Sequence, residues 1–437
     1  MTFRKGLNGF IFLTIGQLIS MIGSSMTQFG LAIWIWKITG KATPYSYIAV
    51  FFMIPNLIFS PIAGAFVDRL PKKWVLIIPD ISSGIITVIT MILFISSKLS
   101  LPFLYAGAFL SGLFNSLQWP AYSVTMSLMV DKKDLGRANG FYSICETAPA
   151  LISPILAGFL LSIIGLNGIF LIDIATFIIA IFIVIIVCIP DIVFNENTIE
   201  SKKQNIIKDS LFGFSYIFQR KALFALLSIF LMINFFSGFS NALLAPMILA
   251  KTNNNSVFLG IIQSSFGIGG IIGGLLMTFW GGTRKKIVSL LIGMMFSGIG
   301  QILLGLSKAL PFYVISILII SIATIVTNAS SQSIWQSKVP HHLQGRVFSA
   351  RRFIAQFVGT IPMAISGPLV DKYLTPLFSK FTTLSNIFGN GKGGAIALLA
   401  SSGGFLTIII VIVSLLSPVV MNVEKSNTDS YIESGRY

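Results

Sequence analysis

The sequence predicts an all-α membrane protein of 12 transmembrane helices in two pseudo-symmetric six-helix bundles, and three observations predict it. Of its 437 residues 54% are hydrophobic and only 10% charged, with mean hydropathy +0.88, too little polar side chain to cover a water-soluble globule. Apolar runs recur twelve times, each near the roughly 20 residues that a helix needs to cross a hydrocarbon layer. A glycine followed by a basic turn occurs once in each half: Gly64 leads to Asp68, Arg69, Lys72 and Lys73, and Gly273 and Gly274 lead to Arg284, Lys285 and Lys286.

In chain order, the first six runs cover 10–36, 45–67, 74–97, 101–128, 138–164 and 167–189. The second six cover 223–250, 257–280, 287–307, 311–336, 347–370 and 395–421. This organises the chain as an N-terminal bundle (1–190), a linker (191–222), a C-terminal bundle (223–423) and a tail (424–437). Pro190 closes the sixth run, and the polar linker is expected to carry a short helix lying on the membrane near Ile206 to Phe218. Residues 372–394 read as an external loop that ends in Gly389-Asn390-Gly391-Lys392-Gly393-Gly394. With no GxxxxGK[ST] pattern in the chain, that loop is not expected to cradle a phosphate and no ATP is expected to be used.

The formal charge of +16 would suggest nucleic acid in a soluble protein, but here its location matters more. With the N-terminus inside, 22 of the 30 Lys and Arg residues fall in inside loops, which predicts cytoplasmic N- and C-termini in a plasma or inner membrane and no nucleic-acid partner. Cys145 and Cys188 both lie within apolar runs, so no disulfide framework is implied. The apolar run after Arg4 and Lys5 is too long for a cleavable signal core.

A second internal match supports duplication. Val130-Asp131-Lys132-Lys133-Asp134-Leu135-Gly136-Arg137 parallels Val339-Pro340-His341-His342-Leu343-Gln344-Gly345-Arg346 at an offset of 209 residues, which Gly158 and Gly367 also keep. Twelve helices, a six-plus-six repeat and GxxxDRxPKK between spans two and three resemble the major facilitator superfamily. Gln344-Gly345-Arg346-Val347-Phe348-Ser349, with Gly367-Pro368-Leu369-Val370-Asp371 closing the same span, resembles more narrowly the macrolide-efflux type of bacterial facilitator.

That resemblance implies a secondary transporter with a conformational latch at the hinge motif. Gly64 lets span two approach a neighbour closely, and Asp68 is suited to the positive end of span eleven or to a basic side chain such as Arg137. The expected latch residues are Gly64, Asp68, Arg69, Lys73, Arg137 and Arg346. Span five carries Pro149, Ser153, Pro154 and Gly158, and Ser-Pro-x-x-Ala-Gly resembles the family's antiporter motif with small residues in place of two glycines. Small residues there permit close packing on span eight, and the prolines remove backbone donors.

An ionised side chain at mid-bilayer costs roughly 3 kcal/mol, so each one within a run is a candidate site. Glu146, Asp80 and Asp173 qualify as proton-coupling carboxyls, with Glu146 first because it lies on the predicted central seam. Arg351 and Arg352 are expected to snorkel to phosphates, with pairing to Glu146 or Asp68 as the alternative. Family antiporters often carry an arginine in span four, where this chain has Ala108, so any coupling must be arranged differently, and substrate-driven or uncoupled transport is the alternative. Polar stripes mark the candidate substrate cavity: Gln17, Ser24 and Gln28 on span one, Asn115, Gln118 and Trp119 on span four, Asn234, Phe235 and Asn241 on span seven, Asn328, Gln332 and Trp335 on span ten.

Aromatics, amides and hydroxyls with little fixed charge suit a bulky, amphipathic or lipophilic organic molecule. The expected function is export of such molecules by alternating access, as a proton antiporter working as a monomer in the bilayer without a cofactor. A dedicated siderophore or peptide transporter is the alternative. An intramembrane enzyme is disfavoured by the absence of HExxH and GxSxG, and a metal site by having only His341 and His342.

Overall fold

The computed structural model describes residues 6–69, 71–131, 134–187, 189, 206–340 and 343–424; for a few helical residues, among them Gly64 to Arg69 and Trp119, it describes the backbone alone. The first six long helices are α1 (Leu7–Thr39), α2 (Ala42–Arg69), α3 (Lys72–Ile95), α4 (Leu101–Met129), α5 (Leu135–Ile163) and α6 (Gly165–Ile186). A shorter α7 (Ile206–Gln219) leads into α8 (Lys221–Lys251), α9 (Ser256–Trp280), α10 (Lys286–Leu306), α11 (Leu310–Lys338) and α12 (Gln344–Pro368). A π-helical turn, Leu369–Leu374, extends α12, followed by α13 (Thr375–Lys380), α14 (Thr382–Phe388), α15 (Gly391–Leu416) and α16 (Pro418–Met421). No strand occurs among the described residues.

Among the described residues, eleven helices are long and apolar enough to cross a membrane. The twelfth long helix, α4, falls short because Asn115 and Gln118 lower its hydropathy. Helix ends follow ordinary rules. Gly40 adopts the left-handed conformation (φ 54°) that ends α1 and returns its N–H to the Trp36 carbonyl at 2.8 Å. Prolines in the first turn start α4 and α11, where a missing N–H costs nothing.

The chain forms two compact units. One comprises Met1–Val193, Leu243–Gly267 and Met363–Pro376; the other comprises Phe194–Ala242, Ile268–Pro362 and Leu377–Tyr437. In the first, α1 packs on α5 and α6, α2 on α4, and α3 on α4 and α6. In the second, α10 packs on α11 and α15, the pairing that α3 makes with α4 and α6.

Hydrocarbon tails give helices no hydrophobic reason to associate, so close backbone approach through small residues has to hold them. Gly112 of α4 lies so near α2 that an added Cβ would overlap the Phe52 carbonyl oxygen. Gly298 and Gly404 face each other between α10 and α15, where a Cβ on Gly298 would stand 2.8 Å from the Gly404 carbonyl oxygen.

The short helix expected near Ile206 to Phe218 is α7, and its Tyr216 and Ile217 pack with Trp335 and Leu223 in the second unit's core. Gly213 permits this, since a side chain there would overlap the Arg346 carbonyl of α12. The stretch read as an external loop is mostly helical, because Gly389 and Gly391, both with positive φ, turn the chain from α14 directly into α15.

Candidate functional site

The first unit encloses a cavity of about 180 Å³ lined from α1, α2, α3, α4 and α6. Its wall holds Gln17, Ser24, Gln28, Asn115 and Gln118, all expected from sequence, together with Asp80 and Asp173. Among the described residues no Lys, Arg or His lines it.

The two carboxyls differ in how they are held. Asp173, 2% exposed, accepts from Ser24 Oγ on one oxygen and Thr87 Oγ1 on the other, both at 3.0 Å. Asp80, 4% exposed, accepts from Gln17 Nε2 on Oδ1 at 3.2 Å, while its buried Oδ2 has no hydrogen-bond partner among the described residues. Gln17 is fixed in turn by Tyr122, whose hydroxyl donates to Gln17 Oε1 at 2.9 Å. Asn115 is held on both sides, with Asn56 Nδ2 donating to Asn115 Oδ1 at 2.9 Å and Asn115 Nδ2 to Gln118 Oε1 at 3.0 Å.

Glu146 is not part of this wall. It is exposed on α5, one turn beyond Tyr142, which stacks on Tyr122. Tyr122 and Thr87 were missed from sequence, because each is one of several polar residues in its run, with Ser123 and Thr125 beside the one and Ser83 and Thr90 beside the other, and nothing in the local pattern says which of them meets Gln17 or Asp173.

The second unit holds a smaller cavity of about 110 Å³, with Asn234, Ser237 and Asn241 from α8, Gln301 from α10, and Thr324 and Asn328 from α11. Among the described residues no charged side chain lines it. Gln301, unremarked in the sequence, donates to Ser237 Oγ at 2.8 Å.

Three expected residues stand elsewhere. Phe235 packs edge-on against Phe236 and Phe239. Gln332 accepts from Arg351 Nη1 at 3.1 Å, and Trp335, 1% exposed, lies 5.0 Å beneath the Arg351 guanidinium. Arg351 also donates to Ser331 Oγ at 3.1 Å, so it turns into its own unit instead of snorkelling, and it draws Gln332 and Trp335 into its seat. The Trp119 side chain, and those of Asp68 and Arg69 with the surroundings of Gly64, lie outside the described residues.

The other expected latch residues have local partners. Lys73 Nζ donates to the Ile185 carbonyl near the end of α6 at 2.6 Å. Arg137, 79% exposed, pairs with Asp134 at 3.5 Å, and the Arg346 guanidinium lies 6.0 Å from the Phe212 ring. On α5, Ser153 Oγ donates to the Ile22 carbonyl at 3.2 Å. Gly158 meets α9, where its carbonyl accepts from Ser256 Oγ at 3.0 Å and a Cβ on Gly158 would stand 2.7 Å from the Ser256 carbonyl oxygen. Pro149 and Pro154 are both inside α5, and Gly260 of α9 rests on the Pro154 carbonyl.

The family model described as Major Facilitator Superfamily matches residues 13–363, most of the chain. The chain belongs to the major facilitator superfamily. This major facilitator is a multi-pass membrane transporter and not an enzyme. It is similar to the macrolide efflux protein A of Streptococcus pyogenes, 27% identical over 360 residues, covering 82% of this chain and 88% of that protein. A macrolide efflux protein A of Enterococcus faecalis is also 27% identical, over 299 residues, covering 68% and 91%.

Among solved structures, a bacterial homologue of the human lysosomal transporter Spinster superposes with TM-score 0.69 at 14% identity, over 96% of both chains. A bacterial homologue of the iron transporter ferroportin gives TM-score 0.65 at 17% identity, over 93% of this chain and 98% of that one. At these identities the structures show the shared fold of the major facilitator and nothing of its cargo.

Proposed function

We propose that this facilitator exports amphipathic or lipophilic organic molecules from the cell by alternating access, driven by protons entering in exchange, with both termini on the cytoplasmic side of the cell membrane. One observation carries the coupling: among the described residues, the first unit's cavity holds two carboxyls, no basic residue, and an Asp80 oxygen without a donor. An ionised carboxylate so placed is costly, and a proton on Oδ2 or a cationic group of the cargo relieves it. Asp173, with a hydroxyl on each oxygen, is suited to stay as it is. The similarity to macrolide efflux proteins makes macrolides the first cargo to test.

The test is cargo movement in proteoliposomes with and without an imposed pH gradient, using a fluorescent lipophilic dye and a macrolide. Gradient-driven movement of either supports the reading, and movement that ignores the gradient overturns proton exchange. Glu146→Gln is expected to keep gradient-driven flux within about twofold of wild type, because exposed positions away from a site change free energies by only about 0.5 kcal/mol. Loss of the gradient response in that variant would return the coupling role to α5.

A further inference from the structure

The pattern Gly-x-x-Val-Asp occurs at the end of α2, as Gly64 to Asp68, and again at the end of α12, as Gly367 to Asp371. The two copies are not related by the 209-residue duplication, so the second needs its own explanation. Glycine and acid are four residues apart in both, which puts them on one face of a helix.

Helix α2 is preceded by Gly40 and Lys41, neither of which brings a side-chain oxygen to its first N–H groups. Such groups have no partner within the helix and favour a negative charge. Asp371 supplies it from another helix. The Ala42 N–H donates to Asp371 Oδ1 at 3.2 Å, the Thr43 N–H to Oδ2 at 2.9 Å, and the Thr43 hydroxyl to Oδ2 at 2.7 Å.

Gly367 makes the approach possible, since a Cβ there would overlap the Thr43 backbone and stand 2.5 Å from Ser46 Oγ. The π-helical turn Leu369–Leu374 carries Asp371, with Val370 buried beside it. Residues 363–376 thus belong to the first unit, although α12 begins in the second.

We propose that Gly367 and Asp371 form a second latch, in which the Asp371 carboxylate caps α2 and holds the ends of α2 and α12 together while that face of the membrane is shut. When the face opens, the carboxylate leaves α2 and water takes its place on the Ala42 and Thr43 N–H groups. With the termini cytoplasmic this is the outer face, opposite the hinge at Asp68. Helix α2 then carries one Gly-x-x-Val-Asp at its inner end and receives the other at its outer end. The latch rests on the alternating-access part of the proposed function and is independent of cargo and coupling ion.

The test is a distance distribution between spin labels on the whole chain in lipid nanodiscs, with Cys145 and Cys188 replaced by alanine. Labels go on Ile38→Cys and Tyr373→Cys, which are 54% and 69% exposed near the two ends. Wild type is expected to show a short and a long distance. Asp371→Asn is expected to raise the long-to-short ratio about fivefold, because the amide turns one of the two accepting oxygens into a donor that faces an N–H of α2. Asp371→Glu restores part of the short population, and Thr43→Val, which spares the backbone bonds, gives a smaller rise in the same direction.

An unchanged ratio in Asp371→Asn overturns the latch, even if the variant melts earlier, since a purely structural cap would lower stability without shifting the ratio. Should Asp371→Asn fail to fold, an unchanged ratio in Thr43→Val overturns it. Two distances that ignore both substitutions sink the latch alone. A single distance in wild type at every pH and cargo concentration sinks alternating access, and the latch with it.

Discussion

Asp80→Asn is expected to lower gradient-driven export by more than about tenfold, a change that needs only about 1.4 kcal/mol of lost coupling free energy. Exchange of cargo without a gradient is expected to stay near wild type. The substitution keeps the side-chain volume and leaves an amide oxygen for Gln17 Nε2, whose bond to Asp80 is 3.2 Å. What it removes is the proton-binding oxygen, so the pH dependence of transport flattens while the cavity keeps its shape. Asp173→Asn makes a useful contrast. It turns one acceptor into a donor facing Ser24 or Thr87, so its first effect is lower stability, with the pH profile largely kept. The measurement is cargo flux in proteoliposomes across a series of imposed gradients, and a full gradient response in Asp80→Asn would end Asp80's role as the coupling group.

Gly112→Val is expected to yield little or no assembled protein, and Gly112→Ala to melt well below wild type. Overpacking a filled core costs about 1–3 kcal/mol when neighbouring side chains can shift. Here the added carbon meets the backbone carbonyl of Phe52, which has no rotamer to yield, so α2 and α4 must separate. Gly274→Ala is the control, because a Cβ at that glycine meets no atom within 4 Å. Thermal melting monitored by size-exclusion chromatography in detergent distinguishes them. Equal midpoints for Gly112→Ala, Gly274→Ala and wild type would mean that α2 and α4 do not touch at this point.

Much of the architecture was legible because each cause is local in the chain. Twelve runs near the membrane's thickness, the glycine and basic turn in each half, and the 209-residue repeat are one-dimensional signals, and they suffice for the helices, the duplication and the family. Gln17, Ser24, Asn115 and Gln118 were also readable, since polar residues at helical spacing have few comfortable places in a bilayer.

Residues whose partners lie far away were not readable. Gln332 and Trp335 were expected in a cavity but seat Arg351, and Asp371 was noted only for its motif until α2 met it across more than three hundred residues.

By itself the sequence determined that this chain crosses a membrane many times, that its halves are copies, and that few ionisable groups enter the hydrocarbon layer. Only the tertiary structure decided which of those groups share a cavity: Asp80 and Asp173 do, and Glu146, at a comparable depth in its own run, does not. In water an apolar stripe reveals a helix's inward face. In a bilayer the outside is as apolar as the inside, so hydrophobic periodicity loses its direction and the inward face is set by the glycines and hydrogen bonds through which helices meet.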